Sequence, residues 1–289
     1  MRKNALPVSK LFLFCLLILT CAFALSVEDK GNAYAMPFYG LEPHEIVFRA
    51  EYSTDYARSS AERKHNIALA VKSLDKVLLD ASGEFSFNRT VGARTINRGY
   101  KPAKIIVNGA FTDGVGGGVC QVSTTLYNAA LLAGLKITES HAHSLSVGYV
   151  PLSFDAMVNS GSADLRFINE TKNPVIIRAF ADGKKLTVKI YGEPMCETYK
   201  LKSVVKSETL PRYDLIKDVD GRFPDLYAGE TRIISYGKKG YESEGYLLTL
   251  SGGKTLSTVR IRRDRYSPVN GVKVEGTAER KEEPAEMIG

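Results

Sequence analysis

The stretch GVGGGVCQVSTTLYNAALLAGL, residues 114–135, constrains this chain more than any other. Ordering a glycine costs more backbone entropy than ordering any other residue. Here three of them, Gly116, Gly117 and Gly118, lead into a run with helical periodicity. Val122, Leu126, Ala129, Ala130 and Ala133 share one face, and Gly134 is placed to stop the helix. The spacing predicts a helix over residues 120–135, starting at Cys120. A cysteine there meets unpaired N–H groups and the positive end of the helix dipole, which favour a thiolate. The same groups can stabilise an oxyanion forming on a substrate carbonyl. The glycines are expected to leave an open side for a chain-like substrate, with Gly116, Gly117, Gly118, Gln121, Ser123 and Thr124 as candidate binding residues. A phosphate cradle is disfavoured, because no Lys-Ser/Thr follows the glycines.

A cysteine nucleophile needs a base, and histidines are scarce: His44, His65, His141 and His143. His65 belongs to an amphipathic helix and reads as a surface residue, and His44 carries no signal. His141-Ala142-His143 enters an expected strand, where alternation would put both imidazoles on one face. His143 is the first candidate for proton transfer and His141 the second, with Asp155 or Asp164 to orient the imidazole. His-x-His with Cys120 could also bind zinc, but no further ligand cluster is evident, so no metal and no cofactor are expected. By residue pattern alone, a buried structural cysteine with surface histidines is an equal alternative.

Around this junction the chain reads as an α+β domain followed by a smaller all-β domain. Residues 1–35 resemble a signal peptide: a basic start, a short apolar run and the site Ala33-Tyr34-Ala35. The apolar run is shorter than the ~20 residues that span a bilayer comfortably, so an uncleaved anchor is the weaker reading. Residues 36–58 are an extended lead-in and 59–195 the α+β domain. Within it, 59–79 is expected to be a helix with a Ser59/Glu62 capping box, and strands are expected at 84–88, 105–109, 146–150, 164–168, 175–180 and 185–191. Ala181-Asp182-Gly183-Lys184 is a hairpin turn. Residues 196–210 read as a linker, 211–277 as the all-β unit and 278–289 as a loose tail.

Without residues 1–35 the formal net charge falls from +7 to +5, since four Lys/Arg and two Asp/Glu leave. A mildly basic exported protein suits an anionic envelope polymer. No basic run interleaved with aromatics points to nucleic acid. The remaining cysteines, Cys120 and Cys196, could pair as a disulfide outside the cytoplasm.

Several segments together resemble the VanW domain family: Gly83-Glu84-Phe85-Ser86-Phe87-Asn88, Gly99-Tyr100, residues 116–135, His141-Ala142-His143-Ser144 and Tyr149-Val150-Pro151-Leu152. The resemblance covers about residues 79–192. It implies a peptidoglycan L,D-transpeptidase with Cys120 as catalytic nucleophile, acting on stem peptides through a thioester. A cysteine wall peptidase or carboxypeptidase, and a non-catalytic wall-binding protein, are the alternatives. The run 151–158 departs from the family pattern at Ser153, Phe154 and Met157, where glycine, arginine and threonine are usual. The missing arginine implies a changed contact to a substrate carboxylate. Residues 216–277, with Tyr236-Gly237-Lys238-Lys239-Gly240, resemble a G5 domain, which implies contact with wall glycan or a spacer role. The expected location is extracytoplasmic, secreted or wall-associated, and peripheral to the membrane should the apolar start remain.

Overall fold

The structure, a computed structural model, describes residues 46–279 other than 108. The signal-like segment, His44 and the tail beyond 279 lie outside the described residues. The chain is mostly β with few helices, further towards β than the sequence suggests.

Strand β1 (Val47–Asp55) comes first among the described residues, so nine residues of the expected lead-in 36–58 form a sheet strand. Helix α1 (Ala61–Leu74) follows, then β2 (Val77–Leu79) and β3 (Glu84–Ser86). A five-residue helix α2 (Phe87–Val91) leads to a 3-10 turn, the hairpin β4 (Pro102–Val107) and β5 (Ala110–Val115), and helix α3 (Val119–Leu132). Next come β6 (Lys136–Glu139), β7 (Arg166–Ile168), β8 (Val175–Ala181) and β9 (Lys185–Gly192). The second region holds β10 (Thr198–Thr209), β11 (Tyr213–Lys217), β12 (Thr231–Ser235), β13 (Gly240–Ser251), β14 (Lys254–Tyr266) and β15 (Gly271–Glu275).

An antiparallel sheet in the order β1-β9-β8-β2 carries the first core. Helices α1 and α3 cover it: Ile67, Ala70 and Leu74 from one, and Val122, Leu126, Ala129 and Ala130 from the other, are fully buried with Ile177, Val188 and Ile190. Helix α3 is buried nearly all round, polar residues included, because it runs through the middle of this core.

Local chemistry sets the element ends. Ser60, not Ser59, caps α1, accepting from the Arg63 N–H at 3.3 Å. That helix stops at Leu74, and Val77 and Leu78, expected in the helix, pair with β8 instead. Helix α3 begins one residue before Cys120 and ends in a Schellman motif. Gly134 sits at φ +69°, its N–H donates to the Leu131 carbonyl, and the Leu135 N–H donates to the Ala130 carbonyl. In the β8–β9 hairpin Asp182 accepts from the N–H groups of Lys184 and Lys185.

Three expectations fail here. Residues 146–150 are loop, not strand. Strand 84–88 is cut at Ser86, whose hydroxyl caps α2. The expected linker 196–210 is mostly β10, a twelve-residue strand paired with β13, which pairs in turn with β14. Its half-exposed alternation of lysines and serines with Leu201, Val204 and Val205 hides a strand behind linker-like polarity. Three shorter strands form a separate sheet, β11-β15-β12, in which β11 and β15 run parallel.

Candidate active site

The glycine run does not leave the open side expected of it. Gly116, Gly117 and Gly118 are buried. A Cβ at Gly117 would lie 2.7 Å from the Lys104 carbonyl oxygen, and one at Gly118 3.0 Å from Ile67 Cγ1. The glycines let strand β4 and helix α1 press against the start of α3, and Gly118 takes φ +109° as its N-cap. No side chain caps this helix; the Val119 N–H donates to the Gly116 carbonyl at 3.1 Å and the Gln121 N–H to the Gly118 carbonyl at 3.0 Å.

Gln121, Ser123 and Thr124, expected to bind substrate, are buried and committed inward. Gln121 accepts from Arg63 Nη2 at 2.8 Å and donates to the Asp55 carbonyl at 2.9 Å. Ser123 Oγ donates to the Ala156 carbonyl at 2.5 Å, Thr124 Oγ1 accepts from the Ala156 N–H at 2.9 Å, and Asn128 Nδ2 donates to the Phe154 carbonyl at 2.7 Å. One polar stripe of α3 thus takes up the backbone of residues 154–156 as a neighbouring strand would. It presents the residue between them, Asp155, to the interior.

Asp155 faces His143. Its Oδ2 accepts from the His143 backbone N–H and from the ring nitrogen Nδ1, each at 2.7 Å. The imidazole also acts on the Cys120 sulfur, each group shifting the other's titration. Cys120, His143 and Asp155 therefore lie in series, thiol to imidazole to carboxylate. His141 lies outside the cluster: it bridges to Met157, and its Nε2 meets Glu139 at 2.9 Å. The strand alternation that would put both imidazoles on one face is absent, since loop backbone follows His141. Asp164 is elsewhere too, accepting from Ser86 Oγ and the Asn88 N–H at the start of α2. His65 contacts the Gly99 carbonyl.

The charges suit an ion pair. Burial pushes the Cys120 thiol up, but the hydrogen bond and charge of His143 outweigh it, helped by Arg94, and hold the thiol below its ordinary value. The Val158 carbonyl, 3.3 Å from the sulfur, accepts only from the protonated thiol. His143 is pulled down by burial, yet Asp155 and Cys120 raise it to about 9. Burial likewise works against the Asp155 carboxylate, which His143 and Arg262 hold well below the usual range. Cys120 carries a free thiol, so the expected Cys120–Cys196 disulfide is not formed. No group of three His, Cys, Asp or Glu among the described residues is arranged to hold a metal ion.

Four residues near the site are not among the candidates that the sequence offers for it. Arg94, half-buried after α2, places its charge on the sulfur. Tyr149 lies beside the thiol in the loop, and burial raises its hydroxyl. Tyr266 and Arg262 come from β14: the Tyr266 hydroxyl donates to Asp155 Oδ1 at 2.5 Å, and Arg262 Nη1 donates to the Asp155 carbonyl. Phe154, at the position where an arginine is missing, is a core side chain, 1% exposed. A surface depression of about 440 Å³ adjoins the site through Gln121 and Tyr149 and is also lined by Tyr56, Arg58 and Arg63.

A cysteine, a histidine and an aspartate gathered at a helix start, followed by an all-β unit, mark a two-part chain. Residues 62–191 match the family described as VanW like protein, and residues 202–278 match the G5 domain. The chain carries a VanW-like domain followed by a G5 domain. It is 42% identical over 157 residues to the Bacillus subtilis protein named Uncharacterized protein YoaR, covering 54% of this chain and 52% of that one. It is 26% identical over 179 residues to the Vancomycin B-type resistance protein VanW of Enterococcus faecalis, covering 60% and 63%. The chain thus spans less than two thirds of either relative's length. Two solved G5 domains match its C-terminal part. That of HP0197 is 20% identical with a TM-score of 0.17, covering 28% of this chain and 97% of its own. That of an IgA1 protease is 17% identical with a TM-score of 0.19, covering 29% and 92%.

Proposed function

We propose that this protein is a cysteine acyltransferase of the cell wall, a peptidoglycan L,D-transpeptidase working outside the cytoplasmic membrane. The observation that carries the reading is the Cys120–His143–Asp155 arrangement, with its lowered thiol and raised imidazole, at the uncapped start of α3. A structural cysteine has no use for a buried imidazole held by a buried carboxylate.

In the first half-reaction the Cys120 thiolate attacks the carbonyl carbon of the third residue of a stem tetrapeptide. The backbone N–H of Cys120 itself is the donor we assign to the oxyanion. The C–N bond to the terminal D-Ala breaks, the His143 imidazolium gives its proton to the leaving amine, and a thioester remains. A side-chain amine of a neighbouring stem peptide then attacks the thioester. Its proton passes to His143, the new amide forms, and the sulfur leaves as thiolate. Asp155 keeps the imidazole oriented throughout. Arg94 is the cation we assign to the substrate's terminal carboxylate, a role that Phe154 cannot fill. The G5 domain is the part we assign to wall glycan.

Incubation of a tetrapeptide muropeptide with wild type and with Cys120→Ser tests this. D-Ala release with muropeptide dimers, lost by several orders of magnitude in the variant, is the expected result. Release with monomers only would replace transfer by hydrolysis. No release from folded wild type would leave a wall-binding protein.

A further inference from the structure

We propose that the second domain completes the candidate active centre, with Tyr266 and Arg262 as positioning residues that hold Asp155 against His143. This rests on the reading of Cys120 as an activated nucleophile.

Asp155 is 1% exposed, and a buried carboxylate needs a partner on each oxygen. The first domain serves Oδ2 through the His143 backbone and ring. Oδ1 takes its hydrogen bond from the Tyr266 hydroxyl, 111 residues along the chain. That hydroxyl is itself fixed, accepting from the Ser153 N–H at 2.8 Å, and Tyr266 is 2% exposed. Arg262 donates to the Asp155 carbonyl, lies 3.7 Å from Oδ1, pairs with Asp264 at 3.0 Å and stacks 5.7 Å over Tyr127 of α3. The backbone beside Asp155 is gripped too. Ser153 Oγ meets Ser243 Oγ at 2.7 Å, and β13 comes so close that a Cβ at Gly245 would lie 3.0 Å from the Ser153 carbonyl. A merely adjoining domain would need apolar burial alone. This one aims a hydroxyl and a guanidinium at the carboxylate that orients the base.

The test follows the rate at which iodoacetamide alkylates Cys120, read by mass spectrometry of its peptide, from acid to alkaline pH in the full-length chain. No substrate is needed. Wild type should stay reactive well below the pH at which a free thiol ionises. Tyr266→Phe, which keeps the ring, should react about tenfold more slowly at neutral pH, the scale of a lost hydrogen bond to a buried charge. In strong alkali, where the thiol ionises unaided, its rate should equal wild type. Arg262→Met should move the acid limb the same way and Arg262→Lys should bring it back, so the result does not hang on one variant. Tyr199→Ala, which loosens the contact of the second domain with Gly134 at the end of α3 far from Cys120, should leave the profile in place. A folded Tyr266→Phe with an unmoved profile, or a Tyr199→Ala that moves it equally, would overturn the positioning role. A wild-type profile like that of a free thiol would instead remove the nucleophile reading itself, and this inference with it.

Discussion

At the scale of residues, the proposed chemistry turns on one proton shared between sulfur and imidazole. His143 is raised to about 9 and Cys120 is lowered, so the zwitterionic pair spans the interval between them. The sign follows for stability. A raised histidine contributes fully below its unfolded pKa, near 6.5, and loses that contribution as pH climbs through about 9. The lowered Cys120 and Asp155 contribute above their unfolded values and lose it as pH falls through their folded ones. Denaturant unfolding of wild type should therefore show the histidine contribution declining as pH rises from near 6.5 to about 9, and His143→Ala should flatten that limb. In the same assay His141→Ala should change neither the limb nor thiol reactivity, because His141 pairs with Glu139 instead. Cys120, His143 and Asp155 are legible in the sequence because the helix pattern, the scarcity of histidine and the surviving aspartate limit the choice. Arg94 and Tyr266 are not, since only folding brings them near the sulfur and the carboxylate.

At the scale of elements, helix α3 does two jobs with two faces. Its apolar side fills the core, while Ser123, Thr124 and Asn128 bind the backbone of residues 154–156. Asn128→Leu should cost about 1–3 kcal/mol, because it strands the Phe154 carbonyl in a buried place. It should also slow Cys120 alkylation by freeing the Asp155 segment, which thermal melts and thiol kinetics on one sample can separate. Gly117→Ala should cost on the order of 1–3 kcal/mol, through a contact with backbone that cannot move aside, and chemical denaturation reads it directly. The two helices are legible from periodicity to within a few residues. The polar face of α3 is not: serine, threonine and asparagine beside a candidate nucleophile resemble ligand contacts equally well. Strand β10 stays hidden because most of its side chains are polar or partly exposed, and only its partner β13 reveals it.

At the scale of the whole molecule, the two domains meet through directed bonds. The Tyr266, Arg262 and Ser243 contacts are joined by the Ser267 N–H donating to the Ser144 carbonyl and by Tyr199 packed against Gly134 at the end of α3. Calorimetry of wild type should show one cooperative transition. Gly245→Val, which forces β13 off the Ser153 carbonyl, should split it in two and slow Cys120 alkylation.

The order of strands in the first sheet bears on how the chain acquires its shape. Strand β1 pairs with β9, Val47 opposite Gly192, although nearly the whole domain separates them along the chain. During synthesis the opening strand has no sheet neighbour until the last strand of its domain emerges, and the Asp155 carboxylate waits longer still for Tyr266. Such distant closures make for slow assembly. The thiol of a half-made chain should therefore be as sluggish as that of a free cysteine, so its reactivity ripens only with the finished polypeptide.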